Sequence, residues 1–498
     1  MTLISRFRNE KRSDSLAALP EEDSTGFLET RVFPVGILLL VGLTLALGAG
    51  ILIAQGNLAL LVPLALLVPA ALLLIREPLV AIMVWLVVFP FYLEEGSSIA
   101  HLMYWVMHRA LIPAALLSVI LADWLGIRKR AAVRFGFAEY AMLVFLVYAA
   151  ANIFLLNPAP SRMLIRLYDR TLVPFAIYWL IRLIGPTAAD LKRLIPAAVF
   201  VVLVQGAIGL LAWFAPHVLP AQWLGLTGER TVGTFGNPAV YTCTLVFLAL
   251  LILHYALETP ARTVRIALLS VVGYAFFSVF FSFSRGSWLG GLLVLAGLLL
   301  LYPRLTVRLA AILFAVVYVL SNTLLSAEIA FAVDRLNDEQ TAQGRVIGNV
   351  ASLRMVEARP WFGWGYGNYD LYDERFKMRV GEIAVQDGGT SHNTPLTIMA
   401  ELGLLGYFLY LLPALWWLVH TLRVRPRMPR RGLLGWPLLG MLWLVVLFHF
   451  TVTNFMDMFR FHAFGITVWW LVLGFIGSLV YRYKNLDRLE TKRRQLIG

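Results

Sequence analysis

Apolar runs of about 20 residues recur along almost the whole chain, separated by short polar and basic segments. Each is long enough for a helix to cross a hydrocarbon core of about 30 Å. The pattern predicts candidate helices at 32–54, 57–75, 78–93, 109–125, 136–156, 171–185, 193–215, 237–257, 265–283, 286–302, 307–325, 394–420, 434–454 and 461–481. Several are short or polar enough to be re-entrant or interfacial, so the expected count is 12–14 crossings in an all-α polytopic integral membrane protein. Residues 1–31 read as an N-terminal tail, 32–325 as helices 1–11, 326–393 as one large loop, 394–482 as helices 12–14 and 483–498 as a C-terminal tail.

Composition agrees. Of 498 residues, 60% are hydrophobic and 14% charged, against about a quarter charged in a soluble domain. A large soluble core is excluded. The net charge of +13 points to no nucleic acid, because most of the 42 Lys and Arg sit in short segments between apolar runs. "RKRAAVR", "ARTVR", "RVRPRMPRR" and "RYKNLDRLETKRR" fall on one side if the N-terminus is cytoplasmic. The bias predicts cytoplasmic N- and C-termini. The polar stretch 1–31 does not read as a cleavable signal peptide. The single Cys243 forms no intrachain disulfide.

The loop 326–393 is too polar to cross a membrane and too aromatic for a mere linker. "GRVIGNVASLRMVEA" predicts an amphipathic helix with Val346, Val350 and Leu353 on one face. In "RPWFGWGYGNYDLYDERF", Pro360 stops that helix and Gly363, Gly365 and Gly367 turn the backbone between large rings. Trp361, Trp364, Tyr366 and Tyr369 are expected to form the loop's own small core, or else a platform for sugar faces.

On this topology the arginines on the external side need explaining. Arg285, in "FSFSRGSWLGG", stands at a helix junction. It is either a headgroup-facing arginine or an anion site backed by the helix N-terminus. Arg230, in "TGERTVGTFGNPAVYTC", precedes a Gly-rich turn and the Asn237-Pro238 helix start. It is a solvated loop residue or a second anion ligand. His392, in "SHNTPLTIMAELGLLGYFLY", opens an apolar span. It caps the helix, or exchanges a proton near neutral pH. No His or Cys companion stands at metal-ligand spacing, so neither a metal nor another cofactor is expected. Together, cations, one base and an aromatic loop suit a lipid-linked sugar diphosphate.

These segments, in order, resemble the bacterial O-antigen ligase and O-antigen polymerase superfamily. The resemblance rests on "ERTVGTFGNPAVY", "FSFSRGSWLGG", "GRVIGNVASLRMVEARPWFGWGYGNY" and "SHNTPLTIMAELGLLGYFLY", over roughly 224–412. The last fits a ligase-type pattern: His392-Asn393, nine residues, then Gly403 and Gly406. The resemblance implies a multi-helical, GT-C-like enzyme of the inner membrane. Its donor is an undecaprenyl-diphosphate-linked glycan and its acceptor a saccharide, either lipid A–core or a second lipid-linked glycan. The transfer is periplasmic, inverting and metal-independent, among membrane lipids and in possible company with an export assembly. It implies Arg230, Arg285 and Arg345 as diphosphate ligands and His392 as the residue that activates the acceptor. Asn237, Arg354, Tyr366, Asn393 and Asp457 are further candidates for substrate contact or support. Ligase and polymerase share donor chemistry, and the His-Asn pattern leans toward ligase. A flippase for the same lipid-linked sugars would want charges along a central path, where Glu139, Arg182 and His254 are the residues to inspect. A non-catalytic scaffold would leave the Arg and His set unexplained.

Overall fold

The structure, a computed structural model, describes residues 61–93, 98–127, 135–225, 230–321, 325–337, 339–380 and 390–497. The first candidate span, 32–54, the N-terminal tail and the basic run 128–134 lie outside the described residues. The chain divides into two compact units, residues 1–72 with 121–130 and residues 73–120 with 131–498. Of the first unit, 61–72 and 121–124 are helical. The second holds everything discussed below.

Helices make up the described chain, with no β-strand among the described residues. In order they are α1 (Leu61–Arg76), α2 (Leu79–Val88), α3 (Ser98–Trp124), α4 (Phe137–Leu156), α5 (Pro160–Leu167), α6 (Val173–Ile184) and α7 (Ala188–Phe214). Then follow α8 (Pro238–Glu258), α9 (Arg262–Phe280), α10 (Arg285–Leu301), α11 (Pro303–Ser321), α12 (Ser326–Asn337) and α13 (Glu339–Ala358). The last are α14 (Tyr369–Tyr372), α15 (Thr394–Val424), α16 (Trp436–Thr453), α17 (Met458–Phe461) and α18 (Ala463–Ile497). Eight of the described helices are long and apolar enough to cross a membrane, and a bent pair over Pro69–Tyr92 makes a ninth if it crosses as one. α10 is a shorter apolar helix of 17 residues.

α8 and the spanning part of α18, 463–484, are apolar on every side and almost wholly buried, so they form the middle of the bundle. α4 and α9 are much less buried and lie at its rim. α10 packs on α16 through a stripe of small residues. A Cβ on Gly286 would come within 2.9 Å of Phe455, and one on Gly290 within 2.8 Å of Phe448. Without a hydrophobic drive between helices in lipid, such close backbone approach supplies the packing energy. It also fixes where Arg285, the first residue of α10, stands.

Helix ends gather at two ends of the bundle. At one, Arg482 donates to Gly185 O (3.2 Å) and Pro186 O (2.8 Å), and Gly432 N donates to Glu258 Oε2 (2.8 Å). At the other, Thr231 N donates to Phe281 O (3.2 Å), and Asn393 Nδ2 donates to Asn454 O (3.2 Å). Toward the first end lies a buried polar knot. Arg182 Nε pairs with Glu139 Oε1 at 2.9 Å and Arg182 Nη1 donates to Gly477 O at 3.1 Å. Tyr178 OH donates to Glu139 Oε1 (2.8 Å) and accepts from Trp417 Nε1 (2.8 Å). Four helices, α4, α6, α15 and α18, are tied there by groups that satisfy one another. This is a structural staple rather than a charged path. Arg182→Leu is expected to cost about 3–5 kcal/mol, because Glu139 stays buried without its partner. Replacing both by apolar residues restores most of the loss. Thermal unfolding in detergent measures both.

One expectation is corrected. α13 forms where predicted, yet its buried face carries Ile347, Ala351 and Met355, each 0% exposed, while Val346 and Leu353 are exposed. Of the predicted face only Val350 is half-buried, and the side that packs inward also takes in polar Ser352, whose hydroxyl meets Tyr369 OH at 2.8 Å. A hydrophobic count alone leaves that side of the helix out.

Candidate active site

α15 begins at Thr394, and Asn393 is its N-cap: its Oδ1 accepts from Leu396 N at 3.0 Å. His392 therefore does not cap the helix. Asn393 also reaches Asn454 O, and Thr394 Oγ1 donates to Met456 O (3.0 Å) and accepts from Met458 N (2.9 Å). Thr397 donates to Asp457 Oδ2 at 2.6 Å. The start of α15 thus grips the segment 454–458, which turns the chain from α16 into α17.

That segment carries a cation no motif had singled out. Arg460 is 1% exposed. Its Nη1 lies 3.2 Å from Asp370 Oδ1, its Nε 3.6 Å from Asp457 Oδ2, and its Nη2 donates to the Thr390 hydroxyl. The guanidinium stacks over Tyr369 at 4.5 Å and Phe461 at 4.4 Å. Arg166 Nη2 donates to Arg460 O (3.0 Å), and Arg170 Nη1 reaches Phe459 O (3.4 Å). Beside this group is His392, half-buried, with Nδ1 enclosed and without a hydrogen-bond partner. Burial pushes its imidazole below the ordinary histidine range, and the charges of Arg345 and Arg460 push it further. Both effects disfavour the imidazolium form. Burial raises the Asp457 carboxyl, against the pull of Arg460 and the Thr397 hydroxyl.

The segments that carry Arg230 and Arg285 come together from another direction. Thr231 N, next to Arg230, bonds the turn that leads into Arg285. Gln205, fully buried in α7, holds the same loop: its Oε1 accepts from Thr234 N (2.9 Å) and its Nε2 donates to Thr234 Oγ1 (2.9 Å). Asn237 Oδ1 caps α8, accepting from Ala239 N at 2.8 Å, and its Nδ2 faces Met456 Sδ at 3.7 Å. Gly286 lies against Phe455. The arginine turn and the histidine cluster therefore share the segment 454–462 as a common wall.

The aromatic loop docks into a break in α15. Gly403 has φ 70° and ψ −178°, a conformation for glycine alone. Through the gap, Trp364 N donates to Ala400 O (2.9 Å), Gly365 N to Glu401 O (2.9 Å) and Leu404 N to Pro360 O (2.7 Å). The buried Glu401 carboxylate accepts from Gly367 N at 2.8 Å and Tyr369 N at 3.3 Å. A Cβ on Gly403 would sit 2.2 Å from Trp361 O. Gly403→Ala is expected to undock the loop and cost more than the about 1–3 kcal/mol of backbone strain alone. Limited proteolysis within 359–376 and the melting temperature check it.

Residues 269–411 match the family model described as O-antigen ligase. This match, over part of the chain, supports a relationship to the O-antigen ligase and polymerase superfamily and an O-antigen ligase-like role in polysaccharide assembly. It is a multi-pass membrane protein. No curated protein matches the chain. The O-antigen ligase segment takes in Arg285, Arg345, His392, Asn393, Gly403 and Gly406. Arg230, Asn237, Asp457 and Arg460 lie outside it.

Of the candidates read from sequence, His392, Arg345 and Asp457 fall in one group around Arg460. Arg230 and Arg285 lie on neighbouring turns joined by the bond from Thr231 N to Phe281 O. Asn237 and Asn393 have their side-chain oxygens engaged as helix caps. Tyr366 is buried, edge-on to Phe459 at 5.6 Å, and Tyr369 is buried with it, as the core expectation for the loop had it. Trp364 packs on Tyr372 and Phe376, whereas Trp361 is 64% exposed. Arg354 is exposed and stands half a turn round α13 from Arg345, so the structure does not bring it to the group. The residues missed were Arg460, Glu401, Arg166 and Arg170. Glu401 had a signal, as a lone acid in the apolar stretch "IMAELGLLG".

Proposed function

We propose that this protein transfers a glycan from an undecaprenyl-diphosphate carrier to a sugar hydroxyl on the periplasmic side of the inner membrane. The supporting observation is the His392 imidazole, its Nδ1 enclosed without a hydrogen-bond partner and its pKa lowered by burial and by Arg345 and Arg460, one wall away from the turn that carries Arg285. His392 takes the proton of the acceptor hydroxyl. The freed oxygen attacks the anomeric carbon, and the bond from that carbon to the phosphate oxygen breaks with inversion. The diphosphate leaves with the electron pair, and Arg230, Arg285 and Arg345 neutralise it.

The test is reconstitution with undecaprenyl-diphosphate oligosaccharide, with and without lipid A–core. Core-dependent single transfer supports a ligase, and a ladder without core supports a polymerase. Movement of intact lipid-linked sugar with no new glycosidic bond overturns both. Arginines rather than a metal ion neutralise the leaving group on this reading, so activity is expected to persist in chelator.

A further inference from the structure

The aromatic turn 359–366 has been treated so far as part of a loop, yet its anchors lie inside spanning helices. α4 has 20 residues, about 30 Å of helix, so a crossing uses its whole length. Phe362 O accepts from Asn152 Nδ2 (3.2 Å) and Tyr148 OH (3.5 Å). Those residues lie four and eight positions before Leu156, or about 6 and 12 Å below the end of α4. On α15 the anchors Ala400 to Leu404 likewise begin six residues past the helix start.

Non-helical backbone at such depth survives only where its polar groups are satisfied inside the protein, and that is what the turn displays. Besides the bonds through the α15 break, Tyr366 N donates to Asn152 Oδ1 (2.6 Å) and Tyr366 O accepts from Asn157 Nδ2 (2.9 Å). Trp364 O accepts from Asn368 Nδ2 (3.1 Å). With its backbone so consumed, the turn presents two large apolar side chains outward: Trp361 is 64% and Phe362 62% exposed. Phe154 and Leu155 of α4 and Leu404, Leu405 and Phe408 of α15, on the anchoring helices, are exposed too.

The geometry points to a re-entrant wedge: the turn 359–366 sits within the leaflet, and Trp361 and Phe362 contact lipid hydrocarbon. Its inner end, Tyr366, and the adjoining Tyr369 of α14 lie against the Arg460 segment, so one short stretch separates bilayer chains from the candidate site. This assignment holds whatever reaction the site performs.

The test uses the full-length protein in lipid nanodiscs. Cys243 is buried and is the single cysteine, so a Cys243→Ser background allows one nitroxide at a time. Labels at W361C and F362C are expected to be accessible to oxygen and shielded from an aqueous nickel chelate, as at L155C. A label at L371C, exposed farther along the loop, provides the water-facing reference. Nickel accessibility at 361 and 362 equal to that at 371 overturns the proposal and favours a water-facing sugar platform. If a cysteine variant fails to fold, Trp361→Phe gives a second reading. Wild-type fluorescence is expected to lose more to bromine-labelled lipid than the variant's. If the Trp361 component is instead quenched by aqueous iodide alone, the wedge is not in the leaflet.

Discussion

His392→Ala is expected to reduce transfer by about 10²–10⁴-fold, the range for a positioned general base, while the protein inserts and melts normally. The structural basis is that Asn393, not His392, caps α15, so removal of the imidazole leaves the helix start intact. The pH profile sharpens the test. Burial and the Arg345 and Arg460 charges lower the imidazole, so protonation that silences the base sets in below the ordinary histidine value of about 6.5. The acid limb of kcat/KM is expected there. Arg345→Gln removes a charge that opposes the imidazolium, which raises the pKa and moves the limb toward higher pH. A limb that stays in place would show that His392 is not the titrating base. Activity of His392→Ala within threefold of wild type would end its assignment altogether.

Arg460→Leu is the second large effect. It leaves Asp457 fully buried beside a hydroxyl but without its cation, and such a break costs about 3–5 kcal/mol. It also frees Asp370 and removes the ring contact with Tyr369, so the loop loses its tie to the segment 454–462. Stability and transfer are both expected to fall. Arg460→Lys keeps the charge but cannot serve Asp370, Asp457 and Thr390 at once, so it is expected to recover stability in part. Arg460→Leu with Asp457→Leu is expected to regain most of the melting temperature without regaining transfer. Full transfer by that double variant would make the cluster a structural one only.

Helix positions were legible in the sequence because a spanning helix is local: α4, α8, α10 and α16 begin and end within two residues of the apolar runs that predict them. Caps were legible for the same reason, as Asn237-Pro238 shows. The face of α13 was not, since it depends on what α13 meets, and there it meets a tyrosine hydroxyl. Gly403 was visible as half of a Gly-x-x-Gly pattern, but its purpose was not. The break that accepts the aromatic turn exists only when residues some 40 positions apart come together.

The sequence by itself determined a helical membrane protein, the positions of most of its helices and the residue types at one end, because hydrophobic length and capping act over a few residues. The tertiary structure decided which of those charges meet. It put Arg460 rather than Arg354 beside His392, gave Glu401 the loop's backbone to hold, and sank the aromatic turn between α4 and α15. A charge, a buried carboxylate or an irregular turn in an apolar setting is tolerated only with partners in place, and partners from distant segments are supplied by packing alone.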